Sequence, residues 1–208
     1  MKEVAVSLHA RAGFDLKLVE GLDNIDYFHV DVMDGKFVAS QNLNLKVINL
    51  IKDNFKIPIL VHLMVQNPIE YIEKIVAFVD GIFFHYEINN DKIPIINILK
   101  KNKKRIGLAV NPQTKISEIL GLISLIDLIL ILGVNPGYSG QKFLPETINR
   151  VNHLAEFKKK FNFKIDVDGG VNLKNAKKLC NADILTSAST ILRAPNPNKV
   201  IQKLKQIK

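Results

Sequence analysis

The chain has a single cysteine in 208 residues, so no intrachain disulfide can staple it. Cys180 falls in the apolar pattern of an expected helix, which predicts burial rather than a catalytic thiol. Long apolar runs are missing as well. The longest, 122–134, is broken by Ser124 and Asp127 and falls short of the ~20 residues of a membrane span, so no membrane partner is expected. The opening MKEVAVSLHARAG has an acid at position 3 and only a short apolar stretch, unlike a secretory signal, and a cytoplasmic location is the expectation. No linker rich in Gly, Ser or Pro divides the chain, so one domain over 1–208 is expected.

Positive charge is plentiful, at +9 net. Its clusters, at 101–105, 158–160, 177–178 and in the C-terminal segment, lie in separate stretches without interleaved exposed aromatics. That distribution reads as a solvated lysine surface and not as a nucleic-acid interface. A hydrophobic share of 47% with 24% charged residues excludes disorder and fibrous repeats.

Eight short runs rich in β-branched residues recur, at 4–8, 27–32, 58–63, 81–85, 106–110, 128–133, 163–167 and 183–187. Their intervals leave room for one helix between each pair, as in a βαβ series, and several are apolar on both faces, as strands of a covered parallel sheet must be. Asn67-Pro68 and Pro145 offer helix starts, and Val200, Leu204 and Ile207 share one face of a last helix. An open doubly wound sheet gives a similar local pattern, but eight units in this length favour a compact α/β fold of the (β/α)8 TIM-barrel type. The loops are short except after the second and sixth runs.

In such a barrel the chemistry gathers at the carboxyl ends of the strands. Those ends carry Ser7 and His9; His29, Asp31 and Asp34; His62 and Met64; His85 and Glu87; Asn111; Asn135, Gly137 and Gly140; Asp166, Asp168, Gly169 and Gly170; and Ser187 and Ser189. His29 and Asp31, two apart on one strand, share a face. With His62 and Asp168 they make two imidazoles and two carboxylates, a set suited to one divalent ion, Zn²⁺, Mn²⁺ or Fe²⁺. Taken singly, each histidine reads equally as a core or loop residue. NPGYSGQKF (135–143) and DGG (168–170) place glycines just after strands, where backbone N–H groups can cradle a phosphate; either could also serve a tight turn.

The runs FHVDVMDGKFV (28–38), VHLMVQNPIEYI (61–72), GLAVNPQT (107–114), VNPGYSGQKFLPETINRV (134–151) and IDVDGGVNLKNA (165–176) resemble, in order, those of the ribulose-phosphate 3-epimerase family. The resemblance implies that His29, Asp31, His62 and Asp168 hold one divalent metal and that Asp31 and Asp168 are acid and base. It implies that Ser7 and His62 contact substrate and that Met33 and Met64 line the site. It also places Gly137, Tyr138, Ser139, Gly140, Gly169, Gly170, Ala188 and Ser189 around the phosphate. Read alone, each methionine is core filler. His85 with Glu87 resembles a supporting hydrogen-bond element of the family.

The implied reaction is 3-epimerisation of a small-molecule ketose phosphate, with D-ribulose 5-phosphate first and a six- or seven-carbon ketose phosphate as the rival. A decarboxylase or aldolase of the phosphate-binding barrels would want a lysine near the second-strand acids, where Met33 stands. A non-catalytic sugar-phosphate sensor would not need two opposed carboxylates. A homo-oligomer is compatible with the sequence, and nothing in it specifies one. Some positions depart from the family: Val6 for proline, His9 for an apolar residue, Ala39-Ser40 for Pro-Asn and Ala188 for glycine. Because alanine disfavours positive φ, the last change suggests a shifted phosphate end.

Overall fold

A computed structural model describes residues 1–138 and 140–208. The strands in chain order are β1 (Glu3–His9), β2 (Tyr27–Asp34), β3 (Gln41–Asn42), β4 (Ile59–Met64), β5 (Gly81–His85), β6 (Arg105–Val110), β7 (Leu128–Leu132), β8 (Lys164–Asp168) and β9 (Ile184–Ser187). All but β3 run parallel, and because β1 pairs with both β9 and β2 the sheet closes into a barrel. β3 is a short antiparallel addition that pairs with Met33 and Asp34 at the end of β2. The eight runs expected from sequence are therefore the eight barrel strands, with ends moved by one or two residues at most.

The helices are α1 (Lys46–Asn54), α2 (Pro68–Ile75), α3 (Lys92–Lys101), α4 (Glu146–Ala155), α5 (Ser189–Leu192) and α6 (Pro197–Lys205). Three connections carry only short 3-10 segments where a helix was expected: Leu16–Leu18 between β1 and β2, Ile116–Ile119 with Ile123–Leu125 between β6 and β7, and Ala176–Lys178 between β8 and β9. In the last two, buried Ile116, Ile119, Ile123 and Ala176 cover the sheet without a full amphipathic stripe. The burial expected for Cys180 fails for the same reason. The 3-10 turn ends at Lys178, Leu179 takes the inward position, and Cys180 is exposed. α2 starts on Pro68 as expected, although the Asn67 amide donates to Glu70 instead of capping the backbone. Pro145 stands at the cap position of α4 and not inside it.

Alternate strand residues point outward into the main core against the helices, and the others inward. Inside, Ala5, Tyr27, Leu60, Phe83, Ala109, Leu128, Leu130 and Ile184 fill the barrel beneath its mouth. Phe83 fits only because its neighbour in register is Gly107, where a Cβ would lie 2.4 Å from Phe83 Cδ1. At the N-terminal end the Arg105 guanidinium donates to Tyr27 Oη at 2.6 Å, and Lys164 pairs with Glu3 at 2.8 Å.

One device recurs around that end. Asp26, Asp80, Asp127 and Asp183 each stand directly before a strand. Their carboxylates accept the backbone N–H of Val4 at 2.7 Å, Ile59 at 2.9 Å, Ile106 at 2.8 Å and Ile165 at 2.7 Å. Each aspartate's own N–H donates to the carbonyl of the same residue. The barrel is thus four clamped strand pairs, β1/β2, β4/β5, β6/β7 and β8/β9. Asp80 makes its clamp without an added lysine partner, unlike Asp26 and Asp183. Replacing Asp80 by Ala leaves the Ile59 N–H unmatched beside a fully buried residue. A loss of about 1–3 kcal/mol is expected, read as a lower urea midpoint at unchanged slope, with Asp80→Asn losing less because an acceptor remains.

Candidate active site

The inward positions of five strands build the site at the carboxyl end of the barrel. β1 offers Ser7 and His9, β2 His29, Asp31 and Met33, β4 His62 and Met64, β5 His85, and β8 Asp166 and Asp168. Register sets their neighbours: Ser7 lies opposite His29, His9 opposite Asp31, Asp31 opposite His62, and Met33 opposite Met64. His29, Asp31, His62 and Asp168 each bring one ligand atom to within 4.8 Å of the others.

Asp31 is the junction. Its Oδ1 lies 3.0 Å from His62 Nδ1 and 3.3 Å from His29 Nε2, while its Oδ2 accepts from Ser7 Oγ at 3.0 Å. Burial alone would raise this carboxyl, but hydrogen bonds and charge from His29 and His62 hold it far below the usual carboxylate range. Burial opposes charge on His29, yet Asp31, Asp168 and Asp166 around it raise its pKa to about 9. Burial, with His85 and His29 nearby, lowers His62 to about 4 despite its bond to Asp31. Asp168 is pushed up to about 7, first by burial and then by Asp31 and Asp166, with His29 opposing. Two carboxyls in one site are therefore held at opposite protonation tendencies.

His29 is wholly buried; its Nε2 faces the Asp31 and Asp168 carboxylates at 3.3 and 3.9 Å, and among the described residues neither ring nitrogen makes a hydrogen bond of good geometry. An unmatched buried imidazole is costly, and two imidazoles converging with two carboxylates form a donor set that a divalent ion would satisfy. The orientation of His62 fits that use. Glu87, held ionised against the effect of its burial by His85 and Thr114, can only accept hydrogen bonds. It therefore accepts a hydrogen bond from His85 Nδ1–H at 3.1 Å; His85 Nε2 then accepts from His62 Nε2 at 2.9 Å. With its proton on Nε2, His62 would turn the Nδ1 lone pair to the cluster, in place of the hydrogen bond to Asp31 Oδ1 that the other tautomer makes. Glu87 is itself fixed by the Asn111 N–H at 2.8 Å and Thr114 Oγ1 at 2.5 Å, and Phe37 packs on the His85 ring at 4.5 Å.

Asp166 was not among the expected ligands. It is fully buried two residues below Asp168, accepts from Thr186 Oγ1 at 2.8 Å, and has its other oxygen unmatched. Burial raises it to about 6. The same i, i+2 spacing that picked out His29 and Asp31 marks it as inward. Asp34, by contrast, spends its carboxylate on the backbone N–H groups of Lys36, Phe37 and Gln66 and shapes the turn after β2.

A cavity of ≈ 490 Å³ opens above the cluster. It is lined by Ser7, Asp31, Met33, His62, Met64, Gly137, Tyr138, Gly140, Asp168, Gly169, Gly170, Ala188 and Ser189, so every expected site residue among those described reaches it except His29, which lies beneath. Ser139 lies outside the described residues. His9, Arg11 and Arg193 line it too. Gly169 has φ +100°, and a Cβ there would meet Val134 Cγ2 at 2.6 Å, so only glycine permits this close passage of the two loops. Ala188 has φ −103° and ψ −86°, so the positive φ that would strain an alanine is not imposed on it here.

The model of the Ribulose-phosphate 3 epimerase family matches residues 3–192. The chain belongs to this family. Over 187 residues it is 34% identical to the ribulose-phosphate 3-epimerase of Aquifex aeolicus, covering 88% of this chain and 84% of that one. The ribulose-phosphate 3-epimerase of Helicobacter pylori J99 is 31% identical over 92% of this chain and 91% of its own. Among solved structures, 3-hexulose-6-phosphate synthase from Salmonella typhimurium superposes with TM-score 0.73 at 16% identity, covering 99% of this chain and 97% of its own. KGPDC from Streptococcus mutans gives 0.73 at 14%, covering 99% and 98%. At those identities the likeness is of fold alone.

In this member of the epimerase family the line Glu87–His85–His62 sets one ring tautomer. Glu87→Gln, whose amide can donate as well as accept, is expected to weaken affinity for an added divalent ion about 10- to 100-fold, measured by chelator competition. Unchanged affinity would mean that His62 is oriented by something else.

Proposed function

We propose that the chain interconverts D-ribulose 5-phosphate and D-xylulose 5-phosphate by moving a proton at C3. The observation that carries this reading is the pair Asp31 and Asp168 on one cavity, one held ionised and the other readily protonated. Epimerisation beside a carbonyl requires a base that removes the C3 proton and an acid that returns one to the opposite face. In one direction Asp31 takes the proton, the C3–H electron pair passes into the C2–C3 enediolate, and Asp168 protonates C3 from the other side. In the reverse direction the roles exchange.

Ser7, donating to Asp31 Oδ2, keeps that oxygen aimed at the cavity, and Met33 and Met64 exclude water around the reacting carbons. The loops holding Gly137, Gly140, Gly169 and Gly170, with Ala188 and Ser189, are assigned to the phosphate, whose binding orients the chain remote from C3. His29, Asp31, His62 and Asp168 would hold one Zn²⁺, Mn²⁺ or Fe²⁺. Such an ion supplies positive charge against the negative charge developing on the substrate oxygens. The reading takes 1–208 as one catalytic domain working in the cytoplasm. The relatives named as ribulose-phosphate 3-epimerases favour the five-carbon substrate over a longer one.

Chelator-treated protein is expected to lose activity and to regain it with Zn²⁺, Mn²⁺ or Fe²⁺. Because Asp31, Asp168 and Asp166 raise His29 to about 9 against the effect of its burial, ion uptake at pH 8 is expected to displace its proton. Titration calorimetry in buffers of different ionisation enthalpy should show about one proton released at pH 8 and more as the pH falls through 7, where Asp168 joins. Affinity therefore falls with falling pH, and full activity of metal-free protein would refute the metal assignment.

Asp31→Asn is expected to slow exchange of the substrate C3 hydrogen with solvent deuterium by about 10²–10⁴-fold. Exchange at the wild-type rate would remove Asp31 as the base. No exchange by the wild-type chain on any ketose phosphate, together with measurable ligand binding, would favour a sensor.

A further inference from the structure

β1 lies between β2 and β9 in the closed sheet. Its last residue, His9, has its Cα opposite that of Asp31 on β2. On the other side Val6 pairs with Ser187, so Ala188, Ser189 and Thr190 run past the same end of β1. All of these residues except Val6 line the cavity. His9 therefore sits between the oxygen assigned to the C3 proton and the segment assigned to the phosphate.

His9 Nε2 is 3.9 Å from Asp31 Oδ2, and the His9 side chain is 29% exposed. That separation exceeds a hydrogen bond, so His9 is not what holds Asp31 in place; Ser7 already does that at 3.0 Å. An imidazole edge there adds hydrogen-bonding capacity along the part of the cavity that the sugar chain must cross.

We propose that His9 is a specificity-determining residue that hydrogen-bonds the hydroxyl on the carbon between the reacting centre and the phosphate, the C4 hydroxyl of a pentulose 5-phosphate. This rests on the epimerase reading above. In that substrate C3 and the phosphorylated C5 are separated by C4 alone, so its hydroxyl is the polar group that passes His9. An imidazole nitrogen can donate or accept and a hydroxyl does both, so the two groups are chemically complementary.

The test is a cycle of enzyme and substrate changes: wild type, His9→Leu and His9→Gln, each with D-ribulose 5-phosphate and with its 4-deoxy analogue, read as C3 deuterium wash-in. Wild type should lose about tenfold in kcat/KM when the 4-hydroxyl is removed. His9→Leu should show a similar loss on the complete substrate and little further loss on the analogue. His9→Gln, which keeps an amide nitrogen near the place of Nε2, should recover part of the discrimination, and metal content should be equal in all three proteins. An equal penalty for the analogue in wild type and His9→Leu would overturn the proposal while leaving the epimerase reading intact. So would loss of metal from His9→Leu, which would make His9 a residue that positions the ligands. Failure of the wild-type protein to exchange C3 hydrogen in any ketose phosphate would defeat both readings at once.

Discussion

The Asp31 carboxylate is the constraint around which the site is arranged. Its two oxygens face different things: Oδ1 the imidazoles of His62 and His29, Oδ2 the Ser7 hydroxyl and the cavity. A carboxylate buried to this degree is stable only if its charge is matched, and the matching groups must come from both neighbouring strands. β1 and β4 supply them because both pair in parallel register with β2, which places Ser7, Asp31 and His62 on adjacent inward positions. The His85–Glu87 line behind His62 then extends the same requirement outward, ending where Glu87 meets the backbone of β6's loop.

The two ends of the barrel divide the work. At the amino end, the four aspartate clamps and the Glu3–Lys164 and Arg105–Tyr27 contacts close strand ends that would otherwise leave backbone groups unmatched. Between that floor and the mouth, Phe83, Leu130 and their neighbours form an apolar plug. The plug keeps water from reaching His29 and Asp166 from below, and it keeps the local dielectric low enough for the charges above to act strongly on one another. A clamp can therefore be weakened without touching the chemistry, whereas a change at Asp31 or His62 affects packing and electrostatics together.

Much of this was legible in the chain before the fold. Period-2 spacing marked His29 with Asp31, and the run of strand ends gathered His62, Asp168 and the glycines, because in a closed parallel barrel each strand end has one fate. The clamps were not legible as a set. Each joins residues some twenty positions apart, and the only trace is an apolar residue followed by Asp ahead of a strand: Ile25-Asp26, Val79-Asp80, Ile126-Asp127, Ala182-Asp183. Cys180 misled because a helical period was read into a segment that makes a single 3-10 turn. The contact of His62 with His85 depends on which way two rings turn, and no spacing rule carries that information.

Burying His29, Asp31, Asp166 and Asp168 together has a consequence for stability that follows from their unmatched atoms. His29 is matched only by the Asp31 and Asp168 carboxylates at 3.3 and 3.9 Å, and one Asp166 oxygen has no hydrogen bond among the described residues, so charge attraction offsets the desolvation of these groups only in part. Packing alone would not select this arrangement, since an apolar residue of similar volume in either position would cost less. A chain that keeps it gives up stability at the barrel mouth in exchange for a preorganised, water-poor cluster of opposed charges. The amino-end clamps and the apolar plug lie away from that cluster, in a part of the barrel that can be optimised for stability without constraint from the chemistry. The fold thus tolerates a centre that is costly to bury because its stabilising contacts are placed where the substrate never comes.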